Sequence, residues 1–258
     1  MFHRTRKLIV FTGFLLVFPV VGRAQSSPLT ADGLVQKVLD ARGGAAKLRT
    51  IKSERVTGSI SFGPGAEGPF FVELKRPGKM HMEVVVQGQS IVRIYDGRGS
   101  GWIINPFTGS KSPQPMTGND LKNIADESDF DGPLLDYQSK GNKIEYLGKD
   151  EIEGKPAEKL KLTTKSGDAR IYFFDAATFL LLKWQGIRKN DDQEIPVESF
   201  FRDYREVNGL RFAFEIDTDS PGSAQTQKLS IQKIELDIPL GDARFDKPAE
   251  PPVAAAPA

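Results

Sequence analysis

The chain has 258 residues, with 35 Lys and Arg against 34 Asp and Glu, two His and no Cys. A formal charge of +1 gives no field that would gather nucleic acid, so no nucleic-acid partner is expected. The lack of Cys excludes disulfides, thiolate metal sites, cysteine nucleophiles and a lipobox anchor.

Residues 1–24 read as a secretory signal peptide. Arg4, Arg6 and Lys7 precede an uncharged run over 8–21, and Gly22-Arg23-Ala24 places small residues at −3 and −1 of a cut after Ala24. The run is shorter than the ~20 apolar residues that a spanning helix needs. The segment carries four of the 35 basic residues and no acid, so the processed chain has 31 basic against 34 acidic residues and one histidine, His81. The expected product is an exported, periplasmic monomer with at most transient membrane contact.

The body opens on a helix. Thr30 can cap it, and Leu34, Val35, Val38 and Leu39 recur at the spacing of one helical face. Gly43-Gly44 ends it, and residues 45–48 add a further turn. Alternating strands follow over 56–62, 70–74, 80–86, 91–95 and 102–104, joined by connections short enough to require antiparallel neighbours. Pro113 and Pro115 mark a loop. Residues 119–128 predict a short helix with Leu121 and Ile124 on its apolar side, and Asp131 with Pro133 opens a second, carrying Leu134 and Leu135. Strands resume over 144–147, 157–163, 171–175, 180–187, 197–204, 210–217 and 228–236, with a further hairpin at 149–155. From Lys247 the composition is Pro- and Ala-rich, a tail expected to be disordered over 247–258. The predicted fold is mainly β: one domain over 25–246, a highly curved antiparallel sheet of about eleven strands. The N-terminal helix and two mid-chain helices are expected on its concave face; the incomplete barrel is what the family resemblance given below implies.

Little in the chain suggests catalysis. A hydrolytic triad would have to use His81, which sits in an alternating strand and reads as solvent-facing. No G-x-S-x-G elbow occurs. Gly97-x-Gly99-x-Gly101 leads into the strand 102–104, not a helix, so it is a hairpin and not a phosphate loop. Asp191-Asp192-Gln193-Glu194 lacks the spaced ligands of a calcium loop and reads as a hairpin tip. Asp126, Glu127, Asp129 and Asp131 are carboxylates on helix ends. No metal and no cofactor are expected.

The positive signal is apolar. Phe62, Phe70, Val72, Leu74, Met80, Met82, Trp102, Phe173, Leu182, Trp184, Phe212 and Phe214 are the large inward candidates, and Met can repack around irregular apolar ligands. A few short helices do not suffice to close the concavity of so long a sheet, which points to a hydrophobic cleft.

Several motifs, in order, carry a family resemblance. They include Ala41-Arg42-Gly43-Gly44 with Leu48 and Ile51-Lys52-Ser53, Tyr95-Asp96-Gly97 with Gly101-Trp102, and Asn105-Pro106 with Gly109. Further on come Asp131-Gly132-Pro133-Leu134, Glu153-Gly154-Lys155-Pro156-Ala157, Asp203-Tyr204-Arg205 with Asn208-Gly209, and Ile234-Glu235-Leu236 before Phe245. Over residues 31–248 the chain resembles the LolA-like outer-membrane lipoprotein-sorting proteins of Gram-negative bacteria. The resemblance implies a half-barrel with a helical lid, here Leu121, Ile124, Leu134 and Leu135, over an apolar cavity. It implies a non-enzymatic carrier, or chaperone, for acyl chains of lipids or lipoproteins in the cell envelope, with envelope membrane proteins as further partners. The group's lid-fastening arginine has two positional candidates, Arg55 and Arg93, each of which also reads as a surface charge. A carrier should show a cavity lined by Phe, Met, Leu and Trp with no charge at its floor. The alternative is an envelope regulatory or structural binding module on the same fold with a largely filled cavity.

Overall fold

The structure, a computed structural model, describes residues 28–190, 193–221 and 226–250. The expected signal peptide, the far end of the tail and Asp191-Asp192 of the acidic tip lie outside these residues. The chain forms α1 (Ala31–Ala41), α2 (Ala45–Thr50), β1 (Ser53–Ser61), β2 (Glu67–Lys75), β3 (Lys79–Val86), β4 (Gln89–Tyr95), β5 (Gly101–Asn105) and β6 (Ser110–Pro115). Then come α3 (Gly118–Glu127), β7 (Lys143–Ile152), β8 (Lys155–Thr163), β9 (Ala169–Asp175), β10 (Leu181–Asn190), β11 (Gln193–Val207), β12 (Leu210–Asp219) and β13 (Gln227–Leu236).

All thirteen strands belong to one antiparallel sheet, ordered β6-β5-β4-β3-β2-β1-β13-β12-β11-β10-β9-β8-β7. The sheet is not closed: β6 and β7 are its two edges. The chain starts in the middle at β1 and steps outward by hairpins to β6. It then crosses through α3 to the opposite edge and steps back until β13 pairs with β1. The sequence predicts about eleven strands. Ser110–Pro115, read as a loop because of Pro113 and Pro115, is instead the edge strand β6, where a missing N–H costs least.

The helices cover one face. Thr30 caps α1, its Oγ1 accepting from the Gly33 N–H at 3.0 Å. Leu34, Val35, Val38 and Leu39 are buried against Leu160, Leu162, Phe174 and Leu210, forming the main core with β8, β9 and β12. Gly43, at φ +114°, lies so close to the β11–β12 turn that a Cβ there would meet the Gly209 carbonyl at 2.3 Å. On the other wing, Ile124 and Leu121 of α3 pack with Met80, Met116, Leu74 and Met82. The second mid-chain helix expected after Asp131 is a run of turns. Gly132, Asp136 and Gly141 take left-handed φ of +71°, +54° and +75°, and each interrupts a right-handed helix.

Arg76 fastens this turn segment to the sheet. Its guanidinium donates to the carbonyls of Ile51 (2.6 Å) and Leu48 (3.1 Å) and to both oxygens of Asp131 (2.6 and 2.5 Å), and lies 4.9 Å from the Phe130 ring centroid. Lys140 binds Asp129 at 2.7 Å. Of the two positional candidates for a lid-fastening arginine, Arg93 pairs with Glu127 of α3 at 2.7 Å. Arg55 lies on the opposite face. Lys122 of α3 also bonds Asp168 in the β8–β9 turn, holding that carboxyl down at about 2.

The convex face has its own cover. Residues 237–245 run across β1–β3, with Phe245 buried. The fully buried Glu73 carboxylate is paired with Arg55 at 2.7 Å and Arg244 at 2.5 Å. His81, expected to face solvent, instead packs edge-on against Phe71 with Nδ1 3.8 Å from Glu73, and burial holds its pKa down.

Because a bidentate ion pair and two carbonyl contacts converge on Arg76, Arg76→Met should release the crossing segment without unfolding the sheet. Amide hydrogen exchange over residues 129–142 should rise at least about tenfold while β1 and β13 keep their protection. Unchanged exchange there would show that the strap is not needed to hold the segment.

Candidate functional site

α1 and α3 sit on opposite wings and leave the middle of the concave face between them. There the structure holds a cavity of about 410 Å³, within the ~300–1,000 Å³ usual for small-molecule sites. Val56, Phe70 and Val72 of β1 and β2 line it, with Leu229, Ile231 and Ile234 of β13 and Phe212 and Ile216 of β12. Phe201 and Tyr204 of β11, Leu181 of β10, and Tyr172 and Phe174 of β9 complete the sheet side. Val38 and Arg42 come from the end of α1, and Gly132, Pro133 and Leu134 from the crossing segment. The register brings them together: Val56 stands opposite both Val72 and Ile234, and Ile216 opposite Leu229.

Of the predicted apolar residues, Phe70, Val72 and Phe212 line this cavity, as does Leu134 among the lid candidates. Leu74, Met80 and Met82 lie instead beneath Leu121 and Ile124 of α3. Phe62 packs at the far end of the concave face with Ile60 and Phe70. Leu135 is fully buried in the main core, where Phe214 and Trp184 also pack. Leu182 falls in a bulge of β10, between the paired Leu181 and Lys183. Trp102 and Phe173 stand on the convex face. Trp102 shares the parity of Ile94 and His81, and Phe173 pairs with Lys159 and Lys183, which lie 5.3 and 5.7 Å from its ring.

The lining departs from the sequence expectation in two ways. It holds no Met and no Trp, because those residues are under α3, in the core or on the other face. It does hold charge: Arg42, Glu54 and Arg211. Glu54 shares the strand face of Val56 and Ile60, a carboxyl in phase with an apolar stripe, and that signal was available in the sequence. Arg42, just past the last turn of α1, gave none; its guanidinium passes 3.9 Å from where a Cβ on Gly132 would stand.

Both groups are desolvated by the protein around them while keeping partial surface in the cavity. Burial pushes the Glu54 carboxyl up from 4.5 to about 7, opposed by the charge of Arg42. Burial lowers the pKa of Arg42, and Tyr204, Glu54 and Asp131 oppose that shift. Neither side chain makes a hydrogen bond or a salt bridge among the described residues. Tyr204, by contrast, donates its hydroxyl to the Leu181 carbonyl at 2.9 Å, and burial raises its pKa. No group of three or more His, Asp and Glu gathers as a metal site among the described residues.

No family model and no curated protein matches the chain. Solved structures do. A DUF1329 family protein from Desulfovibrio piger superposes with a TM-score of 0.58 at 14% identity, covering 84% of this chain and 97% of that one. A putative outer membrane lipoprotein-sorting protein domain from Vibrio parahaemolyticus gives 0.55 at 10% identity, over 83% and 95%. A LolA superfamily protein from Nitrosomonas europaea gives 0.54 at 15% identity, over 85% and 99%. The fold of this chain is LolA-like, and at these identities the likeness is one of fold.

A raised carboxyl pKa has a definite sign in stability. Folding favours the protonated Glu54, a contribution fully present below about 4.5 and lost as pH climbs through about 7. Glu54→Gln removes that loss. Measured against wild type, the melting temperature of E54Q should therefore rise between these two pH values, by on the order of 7–14 °C, and stay level above them. A difference independent of pH would show that Glu54 is hydrated in the folded state.

Proposed function

We propose that this protein is exported to the periplasm, cut after Ala24, and carries the acyl chains of lipids or lipoproteins in the concave cavity without catalysing a reaction. The observation that carries the proposal is the cavity itself: an open, mostly hydrocarbon-walled space in a structure whose two wings are tightly packed. A filled concavity would have favoured the binding-module alternative. The physical need is plain, since each buried methylene contributes ~0.8 kcal/mol and an acyl chain crossing an aqueous compartment must be covered. The description of the Vibrio parahaemolyticus neighbour as a lipoprotein-sorting domain is in keeping with this role, as is the small-residue cleavage pattern that ends at Ala24.

The full chain, expressed with its leader and purified from the periplasm without detergent, should begin at Gln25. In native mass spectrometry it should carry stoichiometric acyl adducts that organic extraction removes. Ile231→Trp, which fills the middle of the cavity, should lower uptake of a fluorescent fatty acid at least about tenfold while leaving the fold intact. Bare protein together with no uptake by wild type would sink the proposal.

A further inference from the structure

The polar groups of the cavity lie at one end. The pairing of β1 supplies a ruler: Glu54 is level with Leu74 and Leu236, Val56 with Val72 and Ile234, Gly58 with Phe70 and Ile231, and Ile60 with Leu229. Glu54 marks the first level, and Arg42 reaches the same end from α1, beside Gly132. From Glu54 to the level of Gly58 is about 13 Å at ~3.3 Å per residue. Beyond the first level the walls are Val56, Val72, Phe70, Ile231, Leu229 and Ile216, all hydrocarbon.

A guanidinium and a carboxyl set in such a space without a partner are costly. Two carboxylates elsewhere in the fold are held differently. Buried Glu73 has two arginines in contact, and Arg76 holds Asp131 bidentately. Arg42 and Glu54 face the same space without a hydrogen bond to each other and keep surface in it, so what satisfies them there comes from outside the chain, water or a bound headgroup.

Resting on the carrier reading, we propose that the cavity takes a single-chain amphiphile with an anionic oxygen headgroup, a carboxylate, bound by the Arg42 guanidinium, its tail running toward Phe70 and Leu229. The charge count favours carboxylate over phosphate monoester, because one desolvated guanidinium balances one negative charge. Arg211, the other cation of the lining, is exposed. Glu54 fits the same ligand as the protonated neighbour: burial already disfavours its charge, a bound anion disfavours it further, and the neutral carboxyl donates to a headgroup oxygen. The volume suits one chain of modest length better than several.

The test uses delipidated processed protein and three probes of equal chain length: dodecanoic acid, dodecanol and dodecyl phosphate. Wild type should bind the acid at least about tenfold more tightly than the alcohol. Arg42→Leu should abolish that preference by weakening the acid at least about tenfold while holding the alcohol within about threefold, so that retained alcohol binding reports an intact cavity. Equal binding of acid and alcohol to wild type would overturn the headgroup assignment and leave the cavity reading standing, and this comparison needs no variant. A preference that survives in R42L would overturn the role of Arg42. Stronger binding of the phosphate than of the acid would overturn the choice of carboxylate. Failure of all three probes would overturn the carrier reading itself.

Discussion

The pairing of the first strand with the last, β1 with β13 in the middle of the sheet, sets the rest of the architecture. Once both ends of the strand run are fixed at the centre, the two halves must each walk outward. Only one connection then joins the outer edges. Its apolar residues, Leu121, Ile124, Leu134 and Leu135, find partners only on the concave face, so the connection crosses there. The other helical cover, α1, is placed by a different requirement, the burial of its stripe on β8, β9 and β12. Two covers positioned by independent constraints leave an uncovered centre, and the cavity is that remainder.

Charge is used differently on the two sides. On the convex face it is paired throughout the well-covered region: Glu73 between Arg55 and Arg244, and a row in which Lys159, Lys183 and Arg202 lie over Phe173 and Phe200. Such contacts add cation–π attraction to the cross-strand pairing and keep the outer surface polar. Around the crossing segment charge acts as a fastener, through Arg76, Arg93, Lys122 and Lys140. In the cavity, Arg42 and Glu54 stand desolvated with no hydrogen bond or salt bridge among the described residues. The contrast within one molecule separates a binding group from a structural one.

Much of the fold was legible because its strands obey a two-residue period and its connections are short. The parity of β2, β8 and β12 could be read directly from Phe70-Val72-Leu74, Leu160-Leu162 and Leu210-Phe212-Phe214. What failed was whatever depended on long-range register. Phe173 is as apolar as Tyr172 and Phe174, and only its pairing with Lys159 sends it to the convex face. The methionines were correctly inward yet covered by α3, a fact about helix placement that periodicity does not carry. The turns after Asp131 read as helix because Asp131 can cap one and Pro133 suits its first turn. The left-handed Asp136 gives no compositional warning. Glu54 was visible in principle, as a charge in phase with valine and isoleucine. Arg42 was not, because the end of a helix is an ordinary place for arginine.

The two unpaired edges, β6 and β7, have a mechanical consequence. In a closed barrel, strand number and stagger fix the radius. A sheet left open at both sides is under no such condition: its curvature follows from the twist of its strands and from what packs on its concave face. The crossing segment, tied by salt bridges at Arg76, Arg93, Lys122 and Lys140, spans that concavity as a string spans a bow.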